Sequence, residues 1–310
     1  MSAREGRGRR EVLKCMAWAG TGALWSLSGG IAGSVLLDEA EARPKPAAGF
    51  SFVQVSDSHI GFAKPPNPDP RATLTEAVDK IRALPEAPAF ILHTGDISQL
   101  SRPQEWDDAD QILSGAGVPV FHTPGEHDML DEGGGKAYLE RYGRDAKGDG
   151  WFAFDQGGVH FVGLVNVKNL QAGGMGRLGA EQLSWLKDDL QGRAASTPIV
   201  VFAHMPLWTL YAAWGWGTDD GGEALRLLSR FGSVTVLNGH VHQLAQKVEG
   251  DMVFHTARST AFPQPAPGAA AAPGPLVVPA EQLRGFLGLR TVRVAPGRAP
   301  IALTDSTLTA

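Results

Sequence analysis

Seven residues of metal-ligating type recur at one kind of place along this chain. Asp57-Ser58-His59 follows the apolar run 52–55, and Gly95-Asp96 follows 90–94. Gly125-Glu126-His127-Asp128 follows 118–121, His204 follows 199–203, and Gly239-His240-Val241-His242 follows 234–237. A carboxylate and an imidazole together suit zinc, manganese or iron. A single Asp-x-His pair is weak, because it arises often by chance. The repetition carries the weight: each apolar run reads as a strand, and each strand ends in Asp, Glu or His. In an open α/β sheet the carboxyl ends of the strands share one edge, where ligands bind. Asp57, His59, Asp96, Glu126, His204, His240 and His242 offer more ligands than one ion takes, and suit two ions sharing a carboxylate. Two ions roughly 3.5–4 Å apart clamp the attacking and leaving oxygens of a phosphoryl displacement and generate hydroxide near neutral pH.

The elements between those runs fit a scaffold for such an edge. Strands are predicted over 51–56, 89–94 and 118–122, separated by helices over 70–84 and 103–114 with apolar residues at helical spacing. This β-α-β-α-β order implies parallel strands with right-handed crossovers. Segment 129–149 reads as a Gly-rich loop with a short helix near 136–142, and 151–165 as a hairpin about Gln156-Gly157-Gly158. A helix over 179–191, a strand over 198–203, a helix over 223–231 and a strand over 233–238 follow. A second hairpin spans 244–257; 262–279 is Pro/Ala/Gly-rich and extended, and 286–294 reads as an edge strand. Two βα-like halves predict two sheets face to face with helices outside, in one domain.

The chain has 310 residues, 43% of them hydrophobic, which is enough for one large core. Arg9-Arg10, a moderately apolar run from Cys15 to Leu37 and the A-x-A-like Ala40-Glu41-Ala42 read as a twin-arginine export signal. The alternative is an uncleaved membrane anchor, disfavoured by the many Gly and Ser. Cys15 is the only cysteine and lies in that segment, so a mature form lacks disulfides and cysteine catalysis. The lack of thiolate also disfavours a structural zinc site. Cleavage after Ala42 removes five basic residues (Arg4, Arg7, Arg9, Arg10, Lys14) and five acidic ones (Glu5, Glu11, Asp38, Glu39, Glu41), so the formal charge stays at −5. That balance argues against nucleic-acid partners and against binding to an anionic membrane.

The five motifs, in this order, resemble the calcineurin-like metallophosphoesterase superfamily. Gly157-Gly158-Val159-His160-Phe161 and Leu183-Ser184-Trp185-Leu186 resemble its branch of bacterial cyclic-nucleotide phosphodiesterases. The resemblance implies a four-layer αββα sandwich and two metal ions (Mn, Fe or Zn). Asp57, His59, Asp96 and His242 would hold one; Asp96, Glu126, His204 and His240 the other, with Asp96 bridging. A hydroxide between the metals would attack phosphorus in line. His127 would protonate the leaving group or bind phosphate, and Asp128 would orient His127 or a nearby ligand. The implied domains are an export signal over 1–42, a linker over 43–49, the metallophosphoesterase domain over 50–262 and a Pro/Ala/Gly-rich segment with an edge strand over 263–310.

One position departs from the family pattern: Glu126 stands where the family usually has Asn. Two divalent ions, three carboxylates and a hydroxide sum to zero, against +1 with Asn. The site should then be a weaker Lewis acid and favour a more highly charged ion. Ile97-Ser98-Gln99-Leu100 also lacks the tyrosine of the purple acid phosphatase branch. The expected activity is phosphate-ester hydrolysis, with a diester favoured over a monoester by branch resemblance. The rival is a non-catalytic metal-binding or interaction module made inert by Glu126. The expected location is periplasmic or extracellular after passage through the twin-arginine machinery, with no stable membrane insertion after cleavage. His93, His122, His160 and His255 lie inside apolar runs and read as packed histidines. The loop from Trp208 to Gly222 reads equally as a substrate wall or a hydrophobic plug.

Overall fold

The computed structural model describes residues 49–295 and 301–309, together with strands β1 (Ala23–Ser28) and β2 (Ile31–Leu36). β1 and β2 pair antiparallel within the unit 1–48. The rest of the expected export signal and linker, residues 1–48, lies outside the described residues. Among the described residues no helix is long and apolar enough to cross a membrane.

Within Gly49–Ala310 the order is β3 (Phe50–Val55), α1 (Pro70–Arg82), β4 (Ile91–Thr94), α2 (Pro103–Ser114), β5 (Val120–Thr123) and α3 (Lys136–Tyr142). It continues with β6 (Phe152–Gln156), β7 (Val159–Gly163), α4 (Ala180–Leu190), β8 (Ile199–Ala203), α5 (Gly221–Leu228) and β9 (Val234–Asn238). The hairpin β10 (Gln246–Glu249) and β11 (Met252–Thr256) follows, then β12 (Gly288–Val294) and β13 (Ala302–Thr307). One sheet has the order β13-β12-β3-β4-β5, the other β10-β11-β9-β8-β7-β6. β3, β4 and β5 run parallel, as do β7, β8, β9 and β11.

Alternation along each strand decides the layers, because successive side chains leave opposite faces of a sheet. Phe52 and Leu92 of the first sheet meet Val200, Phe202 and Leu237 of the second in a core between the sheets. Val53, Val55 and Ile91 face outward onto Leu74, Ile81 and Trp106 of α1 and α2. Val201 and Val236 face outward onto Leu186 and Leu228 of α4 and α5. The result is the expected αββα sandwich. Two chain signals fix where α1 begins. Asp69 caps it by accepting from the Ala72 N–H, and Pro70 occupies the first turn, where its missing N–H costs nothing.

The carboxyl end of the chain differs from expectation. β12 is not an edge: β3 pairs with one side of it and β13 with the other. The interior place is possible because its buried Arg290 is paired, to Asp305 of β13 at 2.9 Å and to Gln54 of β3 at 3.1 Å. β13 is the edge instead. It has four partly exposed polar residues in six and so offered no apolar run to read.

Candidate metal centre

Five of the seven ligands leave their strands through a sharp turn. Asp57, His59, Asp96, His240 and His242 all sit at positive φ, between 42° and 67°. Such left-handed backbone is rare for residues other than glycine and costs on the order of 1–2 kcal/mol each. The turn folds each side chain back over the sheet edge. The loops then lock together: Asp57 N–H donates to Gly95 O, His59 N–H to Asp96 O, and Gly239 N–H to His204 O. Glycine beside the ligands follows from the crowding. A Cβ on Gly125 would lie 2.0 Å from Asp96 Oδ1, and one on Gly239 2.6 Å from Asp57 Oδ2.

All seven expected ligands come together. Ligand atoms of Asp57, His59 and His242 lie within 4.8 Å of one another, as do those of Glu126, His204 and His240. Asp96 stands between the two groups, its Oδ2 3.4 Å from both His59 Nε2 and His204 Nε2. Glu126, at the start of a 3₁₀ turn (Glu126–Met129), places its oxygens 2.9 Å from His204 Nε2 and 3.0 Å from His240 Nδ1.

The donor chemistry fits cations. His204 Nδ1 lies 2.8 Å from Thr94 O and His242 Nδ1 2.6 Å from Phe262 O, so each donates there and turns Nε2 inward. Gln99 Oε1 holds His59 Nδ1 in the same way at 3.1 Å. Partners of this kind fix tautomer and ring orientation in metal sites. The inward nitrogens then face carboxylate oxygens and one another. Asp57 Oδ2 is buried without a hydrogen-bond partner.

Charge points the same way. Burial opposes ionisation of Asp57, Asp96 and Glu126, yet the surrounding imidazoles hold all three below their ordinary values. For Asp96 the neighbouring Glu126 also opposes ionisation. Burial holds His59 neutral, down to about 3. Burial also pushes His204 down, but Asp96 and Glu126 more than reverse this and lift it well above the usual value. A proton there occupies the place a metal would take.

His127 and Asp128 have different positions. His127 Nδ1 lies 2.8 Å from Gln99 O, and a ring nitrogen lies within 4.8 Å of ligand atoms of His59 and Asp96. Asp128 has no bond to the His127 ring or to any ligand side chain. It is fully buried and accepts from the N–H groups of Ile97, Ser98 and Gly125 and from the Ser98 hydroxyl, at 2.9–3.0 Å. Asp128 ties the loop after β4, which carries Asp96, to the loop after β5, which carries Glu126. Gln99 was missed as a functional residue. No spacing rule marks it; only its contacts to His59 and His127 do.

The four other histidines belong to neither ligand group. His93 is bonded to Ser58 Oγ at 2.6 Å, and His122 stacks on Tyr142. His160 lies between Asp155 and Asp189 at 2.9 and 2.7 Å, and His255 sits in β11. In the aromatic loop Trp216 is buried and Trp208 packs edge-on against Phe254 of the core, so those two rings plug rather than line a site. Beside Glu126 and His127 opens a cleft of about 380 Å³.

A two-sheet sandwich with this ligand set at its strand ends defines a metal-dependent phosphoric ester hydrolase. The chain belongs to the calcineurin-like phosphoesterase family, whose model matches residues 50–244. It is 27% identical to the glycerophosphodiester phosphodiesterase GpdQ of Enterobacter lignolyticus, over 62% of this chain and 71% of that one. It is 26% identical to a probable cyclic nucleotide phosphodiesterase of Synechococcus, over 70% and 83% of the two chains. A dimetal phosphatase from Danio rerio shares the fold with a TM-score of 0.60 and 16% identity, over 84% of this chain and 99% of that one.

Proposed function

We propose that this chain is an exported phosphodiesterase working with two metal ions. The observation that carries the reading is the pair of ligand groups sharing Asp96. Asp57, His59, His242 and Asp96 would hold one ion, and Asp96, Glu126, His204 and His240 the other. When bound, manganese, iron or zinc would supply Lewis acidity to the phosphoryl oxygens and acidify a water for in-line attack. His127, steadied at Nδ1 by the Gln99 carbonyl, keeps its other nitrogen free to bind phosphate or to protonate the departing alcohol. Asp128 acts through the loops that carry Asp96 and Glu126.

A diester is favoured because the two bacterial relatives are named as phosphodiesterases. A phosphomonoesterase is the second reading within the same class. Against an inert module stands the placement of Glu126, whose two oxygens each approach a histidine nitrogen in a ligand's position. Export rests on Arg9-Arg10 and the segment after it, with the twin-arginine machinery as partner and the periplasm or exterior as destination. Retention inside the cell when both arginines are changed to lysine would check it.

The deciding assay is hydrolysis of bis(p-nitrophenyl) phosphate by the purified chain supplied with manganese or iron, with Asp96→Asn as the blank. Turnover that vanishes in the blank supports the diesterase. Turnover of p-nitrophenyl phosphate alone moves the reading to a monoesterase, and no turnover of either leaves the inert module.

A further inference from the structure

The cleft beside the metal centre differs in character from the centre itself. Glu126 and His127 line it and join it to the ligand set. Apart from Lys168 the rest is hydrocarbon: Met129, Leu130, Val167 and Leu170. Leu130 and Leu170 are 55% and 44% exposed and lie on the same cleft. Leu100, beside Gln99, is 42% exposed as well. The Lys168 ammonium is already paired with the Asp149 carboxylate. Its methylene stem is therefore what it can offer to the cleft, in the manner of a snorkelling lysine.

We propose that this cleft takes an aliphatic chain on one ester oxygen of a phosphodiester, with the phosphate seated at the metal centre. The proposal rests on the two-metal reading above. The lining supports an alkyl group over a nucleoside. Among the described residues that line it there is, apart from His127, no aromatic face on which a base could stack, and no amide or hydroxyl side chain to read a base edge. A thioether and branched aliphatic groups instead offer an adaptable apolar wall. The wall is continuous with His127, so an alcohol leaving from this side departs past the ring nitrogen able to protonate it.

The test is binding, with turnover run beside it. Monoalkyl methylphosphonates from ethyl to octyl present the charged phosphoryl group and one alkyl chain but resist hydrolysis. Their Kd values are measured by calorimetry on the full chain supplied with manganese. The expected result is a Kd that falls about two- to fourfold for each added methylene, the value for partial to full burial of a CH₂ group. The doubly substituted Leu130→Ser/Leu170→Ser chain should lose most of that dependence on length. Val248→Ser, a change at an exposed valine on β10, should keep it. A Kd that ignores chain length, tighter binding of adenosine methylphosphonate than of the hexyl ester, or no binding at all would overturn the proposal. Length-dependent binding with no hydrolysis of any p-nitrophenyl ester would uphold the cleft and remove the catalytic reading instead.

Discussion

His59 Nε2 and His242 Nε2 face each other at 3.2 Å, each on a ring whose other nitrogen is held by an oxygen. Asp57 Oδ1 stands 3.2 Å from the second of them, so the three atoms converge on one point. A bound cation would take them as ligands and tie the three loops together. Adding manganese to chelator-treated protein should raise its thermal midpoint, by the equivalent of about 2.7 kcal/mol at a hundredfold excess over Kd. Asp96→Asn, which weakens the carboxylate shared by both groups, should respond much less. Equal midpoints with and without metal, read by calorimetry, would count against the site.

Asp128 is a structural carboxylate in a catalytic neighbourhood. Three backbone N–H groups and a hydroxyl converge on it. Asp128→Asn would turn an amide NH₂ toward some of those donors and leave others unpaired. The expected loss is on the order of 2–3 kcal/mol of stability, together with a 10- to 100-fold weaker metal affinity. Urea unfolding and metal titration measure the two. A change in rate at saturating metal, with neither of those effects, would restore a direct role.

Glu126→Asn tests what the additional carboxylate does. The substitution raises the charge of the site by one and leaves an oxygen able to approach His204 and His240. Higher turnover and a weaker preference for ferric over divalent ions are expected, followed by metal analysis beside bis(p-nitrophenyl) phosphate hydrolysis. Identical metal content and rate in the two proteins would remove any special role for the glutamate.

Acid should destabilise the fold partly through His93. Burial, assisted by the nearby His122, holds this imidazole neutral down to about 3. The unfolded chain takes up its proton near 6.5. The stability His93 confers is therefore complete above about pH 6.5 and is lost as pH falls toward 3, by on the order of a few kcal/mol. His93→Leu gives up the bond to Ser58 Oγ but cannot charge. Its deficit against the parent chain, followed by urea midpoints, should shrink between pH 7 and pH 4; a constant deficit would show that His93 does not titrate in this way.

Much of the site was legible because ligand type and strand ends coincide. An apolar run such as Ile199–Ala203 can be read as a strand, and the histidine after it must lie at the sheet edge. The alternation that divides Val200 and Phe202 from Val201 was equally readable. What escaped depends on contacts across long separations. β12 could become interior only because Arg290 finds Asp305 and Gln54, and neither pairing is local. Gln99 gained its role by meeting His59 and His127 across forty and twenty-eight positions. The left-handed turns at five ligands run against local preference, so no propensity argument could have placed them.

The role of His127 separates by leaving group. Burial lowers the pKa of its ring, but Asp96 and Glu126, with the Gln99 carbonyl, raise it more, so the protonated form is favoured beyond the usual value. A group that protonates the departing alkoxide matters most when the alcohol is a poor leaving group. His127→Ala should therefore lower kcat by about 10²- to 10⁴-fold for an alkyl ester. The loss should be much smaller for p-nitrophenolate, which departs without a proton. Each rate is compared on one diester carrying both groups, such as ethyl p-nitrophenyl phosphate, and on diethyl phosphate. An equal loss on both substrates would instead make His127 a phosphate-binding residue, acting in the ground state and the transition state alike.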